Sequence, residues 1–258
     1  MEITFLGTSS GKTELDRFYT NLLLKESEFE LLIDCGDGLS KQLINKGFSL
    51  KESLDVLIIT HFHADHLGGL PTLLTQMKLL KRTKPFKLYV YDSSIKLITN
   101  LLNTFLLFTE NFPFPLIIEG IRENEEIKIT EHLSFIAKIN SHVNSKKYIT
   151  YYGEEVSPVS LSLLFTNYET KFLYTGDLGI PEDLFLFNHN NLKYLIAEAA
   201  HIEINEFVKL LENKENLKLI LTHYEINKLK EFFDNSKINN FFNENRIIIA
   251  KDSFKLSD

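Results

Sequence analysis

His61-Phe62-His63-Ala64-Asp65-His66, directly behind the apolar run Val56-Leu57-Ile58-Ile59, decides how this chain is read. Imidazole nitrogens with a carboxylate oxygen are what a borderline-soft divalent ion prefers. The preceding run is short, β-branched and followed by turn and helix signals, which predicts a buried strand. The cluster then lies in the loop at the strand's C-terminal end, where open α/β sheets place their chemistry. In an extended segment His61 and His63 face one way, while Asp65 points elsewhere only where the chain leaves that extended path and His66 opens a new turn. One ion cannot easily use all four side chains; two adjacent ions can.

Outside this stretch, one pattern recurs: an apolar strand ending in a ligand-type residue. Phe135–Ile139 leads to His142, Phe172–Tyr174 to Asp177, and Leu219–Leu221 to His223. A lone histidine after a strand is usually structural. Three such endings joined to the cluster point to strand ends converging on one edge of a sandwich.

The remaining pattern supplies the frame. Strands are predicted at Glu2–Leu6, Leu22–Leu24 and Glu30–Asp34, the last two as a hairpin, then at Leu88–Tyr91, Glu126–Ile129, Leu133–Ile139, Ser160–Phe165, Lys171–Tyr174, Tyr194–Ala197, Leu217–Leu221 and Arg246–Ala250. Helices are expected at Leu39–Lys46, Pro71–Leu80, Ser94–Phe108, Ile204–Leu211 and Ile226–Phe233, with Pro71 tolerated in a first turn. Strands in both halves with recurring helices suggest an α/β (α+β) chain of two packed sheets with helices outside.

The composition narrows the classes. At 258 residues and 44% hydrophobic content the chain can bury roughly three quarters of its unfolded surface, and no linker-like tract interrupts what reads as one domain over 1–258. The segment Met1–Gly7 lacks a basic leader, and no apolar run approaches about 18 residues, so a membrane partner is not expected. The single cysteine, Cys35, excludes an internal disulfide and suits a reducing cytoplasm. A net charge of −7 argues against broad nucleic-acid binding. The basic run Lys78, Lys81, Arg82, Lys84 and Lys87 reads as the solvated end of a helix.

Taken together, Phe5-Leu6-Gly7-Thr8-Ser9-Ser10-Gly11, Ile33-Asp34-Cys35-Gly36-Asp37-Gly38, the 61–66 cluster, His142, Thr175-Gly176-Asp177, Ala197-Glu198-Ala199-Ala200-His201 and Leu221-Thr222-His223 resemble the metallo-β-lactamase fold superfamily, in its ribonuclease Z and phosphodiesterase-like branch. The resemblance spans nearly the whole chain in the family's order. It implies a four-layer αββα sandwich with a two-metal site at one edge. One ion would sit on His61, His63 and His142, and a second on Asp65, His66 and His223, with Asp177 bridging. Zinc is the usual ion of this branch; manganese and iron suit the same donors.

Two such ions make hydroxide available near neutral pH and polarise the electrophile. A bridging hydroxide would attack a phosphodiester in line, with Asp65 orienting it as well as binding metal. His201, three residues after Glu198, is the candidate proton donor to the leaving oxygen, held charged by that carboxylate. The alternative is that His201 caps the helix starting near Ile204. Asp34 is expected to steady the metal loop from behind, and Asp37 to turn the chain between its glycines.

The substrate is less sharply drawn. Ribonuclease Z relatives carry a long, basic, Gly/Pro-rich arm between the positions of His142 and Asp177, whereas residues 143–176 here hold only Lys146, Lys147 and Lys171 and no such extension. A compact enzyme for small cyclic or nucleotide-derived phosphodiesters is the leading expectation. The alternatives are an armless endonuclease acting on transfer RNA, a lactonase or thioesterase using the same hydroxide, and a metal-containing regulatory protein with little turnover. RNA is thus the less favoured partner. Lys12 and Arg17 could meet phosphate, although lone basic loop residues are usually just solvated. Phe105, Phe108, Phe112 and Phe114 read as core, with a ligand pocket or a homodimer contact as the other options.

Overall fold

In the computed structural model, which describes residues 1–143, 145–152, 157–233 and 236–257, the strands assemble into two sheets of seven. The first sheet begins with β1 (Glu2–Gly7), which pairs antiparallel with β2 (Asn21–Glu26), itself hairpinned to β3 (Phe29–Ile33). From β3 the sheet turns parallel through β4 (Val56–Ile58), β5 (Phe86–Tyr91) and β6 (Leu116–Ile121). Four helices make these three crossovers: α1 (Leu39–Asn45), the single turn α2 (Ala64–Leu67) with α3 (Leu70–Leu79), and α4 (Ile95–Thr104).

The second sheet repeats that plan. β7 (Glu126–Lys128), β8 (Leu133–Asn140), β9 (Ser160–Asn167) and β10 (Thr170–Tyr174) run antiparallel, with α5 (Ser145–Tyr152) between β8 and β9. β11 (Leu192–Glu198), β12 (Lys218–Thr222) and β13 (Ile247–Ile249) then continue in parallel. Helix α6 (Ile204–Glu212) joins the first two of these, and α7 (Ile226–Phe233) and α8 (Ser236–Asn243) precede the third. A last strand, β14 (Lys255–Ser257), returns to the first sheet and pairs with β1.

Alternation along the strands sorts the apolar side chains into three layers. Phe5, Leu24, Ile33 and Ile58 face Phe135, Leu163, Phe172 and Ile196 between the sheets. Leu32, Leu57 and Leu88 pack outward on α1, α3 and α4 through Leu43, Leu74 and Ile98. Leu195, Leu219 and Ile247 do the same with α6 and α8 through Phe207, Leu211 and Ile238. This is the αββα sandwich that the resemblance implied.

Two expectations change. The basic run is not uniformly solvated. Arg82 is wholly buried, donating to the carbonyls of Ser53, Leu54, Lys84 and Pro85 at 2.6–2.9 Å, while Lys84 pairs with Asp55 and Lys87 with Glu119. The aromatic stretch is split: Phe114 is core, whereas Phe105 and Leu106 are exposed. Among the described residues no helix is long and apolar enough to cross a membrane.

Candidate metal centre

Both sheets aim the C-terminal ends of β4, β10, β11 and β12 at one edge of the sandwich, and the candidate ligands stand there. β4 ends at Ile58, and Thr60 and His61 follow in irregular backbone. The chain then turns into α2 at Ala64, with His63 as the residue before its first turn. That turn separates Asp65 and His66 from His61 and His63, as two neighbouring ions require. Close packing keeps the loop in place: a β-carbon on Gly36 would lie 2.2 Å from the Asp65 carbonyl, so only glycine lets residues 35–38 pass beneath α2.

Among the described residues three donor groups result, each with its ligand atoms within 4.8 Å of one another; the smallest, Glu198, His201 and His223, shares His223 with one of the other two, which together hold all the expected ligands. Of those two, one is His61, His63, His142 and Asp177; the other is Asp65, His66, Asp177 and His223. In the first, His63 Nδ1 lies 3.1 Å from both His61 Nε2 and His142 Nε2, and His142 Nε2 is 3.5 Å from Asp177 Oδ2. One imidazole nitrogen carries at most one proton, so it cannot donate to both neighbours. In the second, His223 Nε2 is 3.3 Å from Asp65 Oδ2 and 3.4 Å from Asp177 Oδ2. His66 Nε2 and Asp177 Oδ1 lie 3.3 Å apart, both buried and neither hydrogen-bonded. Donors about 2.0–2.1 Å from a tetrahedral ion stand roughly 3.3 Å from each other. These separations and orphaned buried atoms fit a divalent ion in each group.

The electrostatics agree. Burial, with the neighbouring imidazoles, lowers His61 well below the usual histidine value and pushes His142 down to about 4, so both offer lone pairs. In the second group burial opposes charge, but flanking carboxylates win. Asp177 and Asp34 lift His66 well above its ordinary value, and Asp177, Asp65 and Glu198 raise His223 to about 9. Burial also opposes charge on Asp177, yet His223 and His66 hold it well below the carboxylate range. This pocket demands positive charge, from protons or from a metal ion.

Asp34 stands behind the ligands, as expected. Wholly buried and in the left-handed region at φ 65°, it accepts from the Thr60 amide at 2.8 Å, the Thr60 hydroxyl at 2.9 Å and the Tyr174 hydroxyl at 3.4 Å. It also faces His66 Nδ1 at 2.8 Å, which fixes that ring with Nε2 toward Asp65 and Asp177. Thr60 and Tyr174 had no signal of their own in the sequence.

Glu198 ends β11 and accepts from the amides of Ala200 at 2.6 Å and His201 at 2.9 Å, which holds its Oε2 3.3 Å from His201 Nδ1. The His201 ring lies 4.9 Å from that of His142 and 5.8 Å from that of His223, at the open side of the centre. Donating to the Glu198 carboxylate raises the His201 pKa, against a smaller effect of burial. Glu203, not His201, precedes the first turn of α6, so the capping alternative is set aside. Arg17 is turned away from any phosphate role by Glu14 and two backbone carbonyls.

The fold is that of the metallo-β-lactamase sandwich, in the branch of the ribonuclease Z and phosphodiesterase-like proteins. A family model described as anti-Pycsar protein Apyc1 matches residues 1–248, and the chain belongs to that family. The protein of that name from Bacillus phage vB_BveM-Goe7 is 27% identical over 96% of this chain and 98% of its own length. Ribonuclease Z of Myxococcus xanthus is 28% identical over 57% of this chain, which spans only 47% of that enzyme. Among solved structures, human tRNase Z, short form, superposes with a TM-score of 0.72 at 18% identity, covering 100% of this chain and 99% of the other.

Proposed function

We propose that this chain is a two-metal phosphodiesterase that hydrolyses small cyclic or nucleotide-derived phosphodiesters. The observation that carries the reading is the pair of donor groups sharing Asp177, with the His201 imidazole standing over their open side. His61, His63 and His142 would hold one ion, Asp65, His66 and His223 the other, and zinc suits these donors. Bound there, the ions would supply Lewis acidity toward a phosphoryl oxygen and toward water.

The protein's own groups do the rest. Asp65, half-buried and held ionised against its burial by His223 and His66, can accept a hydrogen bond from the attacking water and aim it. The hydrogen bond to Glu198 stabilises the His201 imidazolium and raises its pKa, and the imidazolium can pass its proton to the departing oxygen. Glu198 is nearly inaccessible and works only through His201 and His223. Residues 143–176 leave no room for a transfer-RNA arm, and the family match over nearly the whole chain favours a compact substrate.

Metal analysis followed by a panel of aryl and cyclic phosphodiesters, a lactone, a thioester and precursor transfer RNA tests this. We expect turnover of the phosphodiesters alone, and loss of roughly a thousandfold or more in Asp65→Ala. His201→Ala should slow poor leaving groups more than good ones, and equal slowing would remove it as the acid. Preferred cleavage of the acyl substrates or of RNA would overturn the reading.

A further inference from the structure

In the sequence, the loop after β1 offers Arg17 as a candidate phosphate contact. Its guanidinium is instead spent inside the protein. Nε and Nη2 fork onto Glu14 at 2.8 and 2.6 Å, Nη1 donates to the Thr8 carbonyl at 3.2 Å, and Nη2 donates to the Tyr224 carbonyl at 2.7 Å. Those four bonds use all but one of a guanidinium's N–H donors. The side chain is 10% exposed, and its Cζ lies 4.2 Å from the centroid of the Tyr224 ring, a cation–π contact.

What it grips is the turn behind β12. Tyr224 follows His223, whose backbone sits in the left-handed region at φ 47°, uncommon for a residue with a β-carbon. The Tyr224 amide donates to the Thr8 carbonyl at 3.2 Å, and Ser9 bridges to Tyr224. Thr8 therefore receives both the Tyr224 amide and Arg17. The Tyr224 hydroxyl reaches the Ala250 carbonyl at 2.9 Å, and Asp252 takes the Thr8 hydroxyl and the Phe18 amide, each at 2.8 Å. Three remote segments thus lock around the residue after His223.

We propose that Arg17 is a positioning residue for His223: its guanidinium clamps the loop after β1 to the turn carrying that histidine, and so fixes the approach of the imidazole to Asp65 and Asp177. The proposal rests on His223 being a metal ligand. A lysine has one point donor on a flexible stem and cannot fork onto Glu14 while reaching two carbonyls, so it should restore the clamp only in part.

The test compares the parent with Arg17→Met, Arg17→Lys and Glu14→Gln in the full chain. Zinc retention is read by competition with a chromogenic chelator, exchange of the Tyr224 amide by mass spectrometry, and kcat and KM on an aryl phosphodiester. For Arg17→Met we expect zinc retention at one of two sites to fall about 10–100-fold, faster Tyr224 exchange, and an unchanged KM. Arg17→Lys should fall between Arg17→Met and the parent. Should Arg17→Met fail to fold, Glu14→Gln decides: weaker retention with faster exchange supports the clamp, and parental values overturn it. A raised KM with parental zinc retention and exchange would mean that Arg17 meets substrate. A parent that binds no zinc yet loses Tyr224 protection in Arg17→Met would reject the metal reading and keep the clamp.

Discussion

A single carboxylate organises the most crowded corner of this molecule without belonging to either donor group. Asp34 accepts from Thr60 twice, faces His66 Nδ1 and takes the Tyr174 hydroxyl, all in a backbone conformation that L-residues enter at a cost of about 1–2 kcal/mol. The cost is tolerated because it fixes both the His66 ring and the start of the metal loop. Asp34→Ala leaves the Thr60 hydroxyl and the His66 ring without that partner. We expect metal affinity at the second group to fall about 10–100-fold, as losses of supporting hydrogen bonds commonly do. Titration with zinc against a competing chelator checks this, and affinity within twofold of the parent would show that the ring needs no such support.

Among the elements, the junction of α3, β4 and β5 depends on Arg82. Its buried guanidinium collects carbonyls from the segment before β4 and from the turn entering β5. Arg82→Met keeps the apolar stem but strands those acceptors, and we expect roughly 3 kcal/mol of destabilisation. Urea unfolding should show it as a lower midpoint with an unchanged slope. This residue also marks where reading the sequence runs out. Beside Lys78, Lys81 and Lys84 it looks like surface charge, because its partners are backbone carbonyls and carry no sequence signature.

Other elements divide along the same line. The 61–66 cluster and the strand endings at His142, Asp177 and His223 were legible because ligand chemistry restricts residue type. β6 was hidden: Phe112-Pro113-Phe114-Pro115 breaks the pattern just before it, and Gly120 interrupts Leu116–Ile121. It is an edge strand that needs no full apolar face. α5 has no clear apolar stripe, and β14 spans only Lys255–Ser257, too short to show alternation. Arg17 and Thr60 act through backbone or through a neighbour's carboxylate, which spacing does not reveal.

For the whole molecule, the two donor groups tie both sheets together, since His61, His63, Asp65 and His66 follow β4 while His142, Asp177 and His223 follow strands of the other sheet. Metal bound only by the folded state should add about 2.7 kcal/mol at a hundredfold excess over Kd. For a chain of this size that is roughly 5–10 °C in Tm. The pH dependence has a definite sign. In metal-free protein the raised pKa of His223 stabilises fully below its ordinary value near 6.5, and this fades as pH rises through about 9. Metal must displace that proton, so it binds better as pH rises. The Tm gain on adding zinc to chelator-treated protein should therefore be larger at pH 8 than at pH 6. A gain independent of pH would place the ion elsewhere.

The seating of β14 against β1 bears on how the molecule folds. The Phe5 amide donates to the Phe254 carbonyl and the Ser253 amide to the Phe5 carbonyl, so segments far apart in the sequence close the outer side of β1. Without residues 253–257 that flank of the first sheet would be an unpaired strand edge. Asp252, from the same distant stretch, accepts from the Thr8 hydroxyl and the Phe18 amide. Contacts between segments so distant in sequence thus brace the loop after β1, and pairings of that kind are slow to form because the intervening chain must first be ordered.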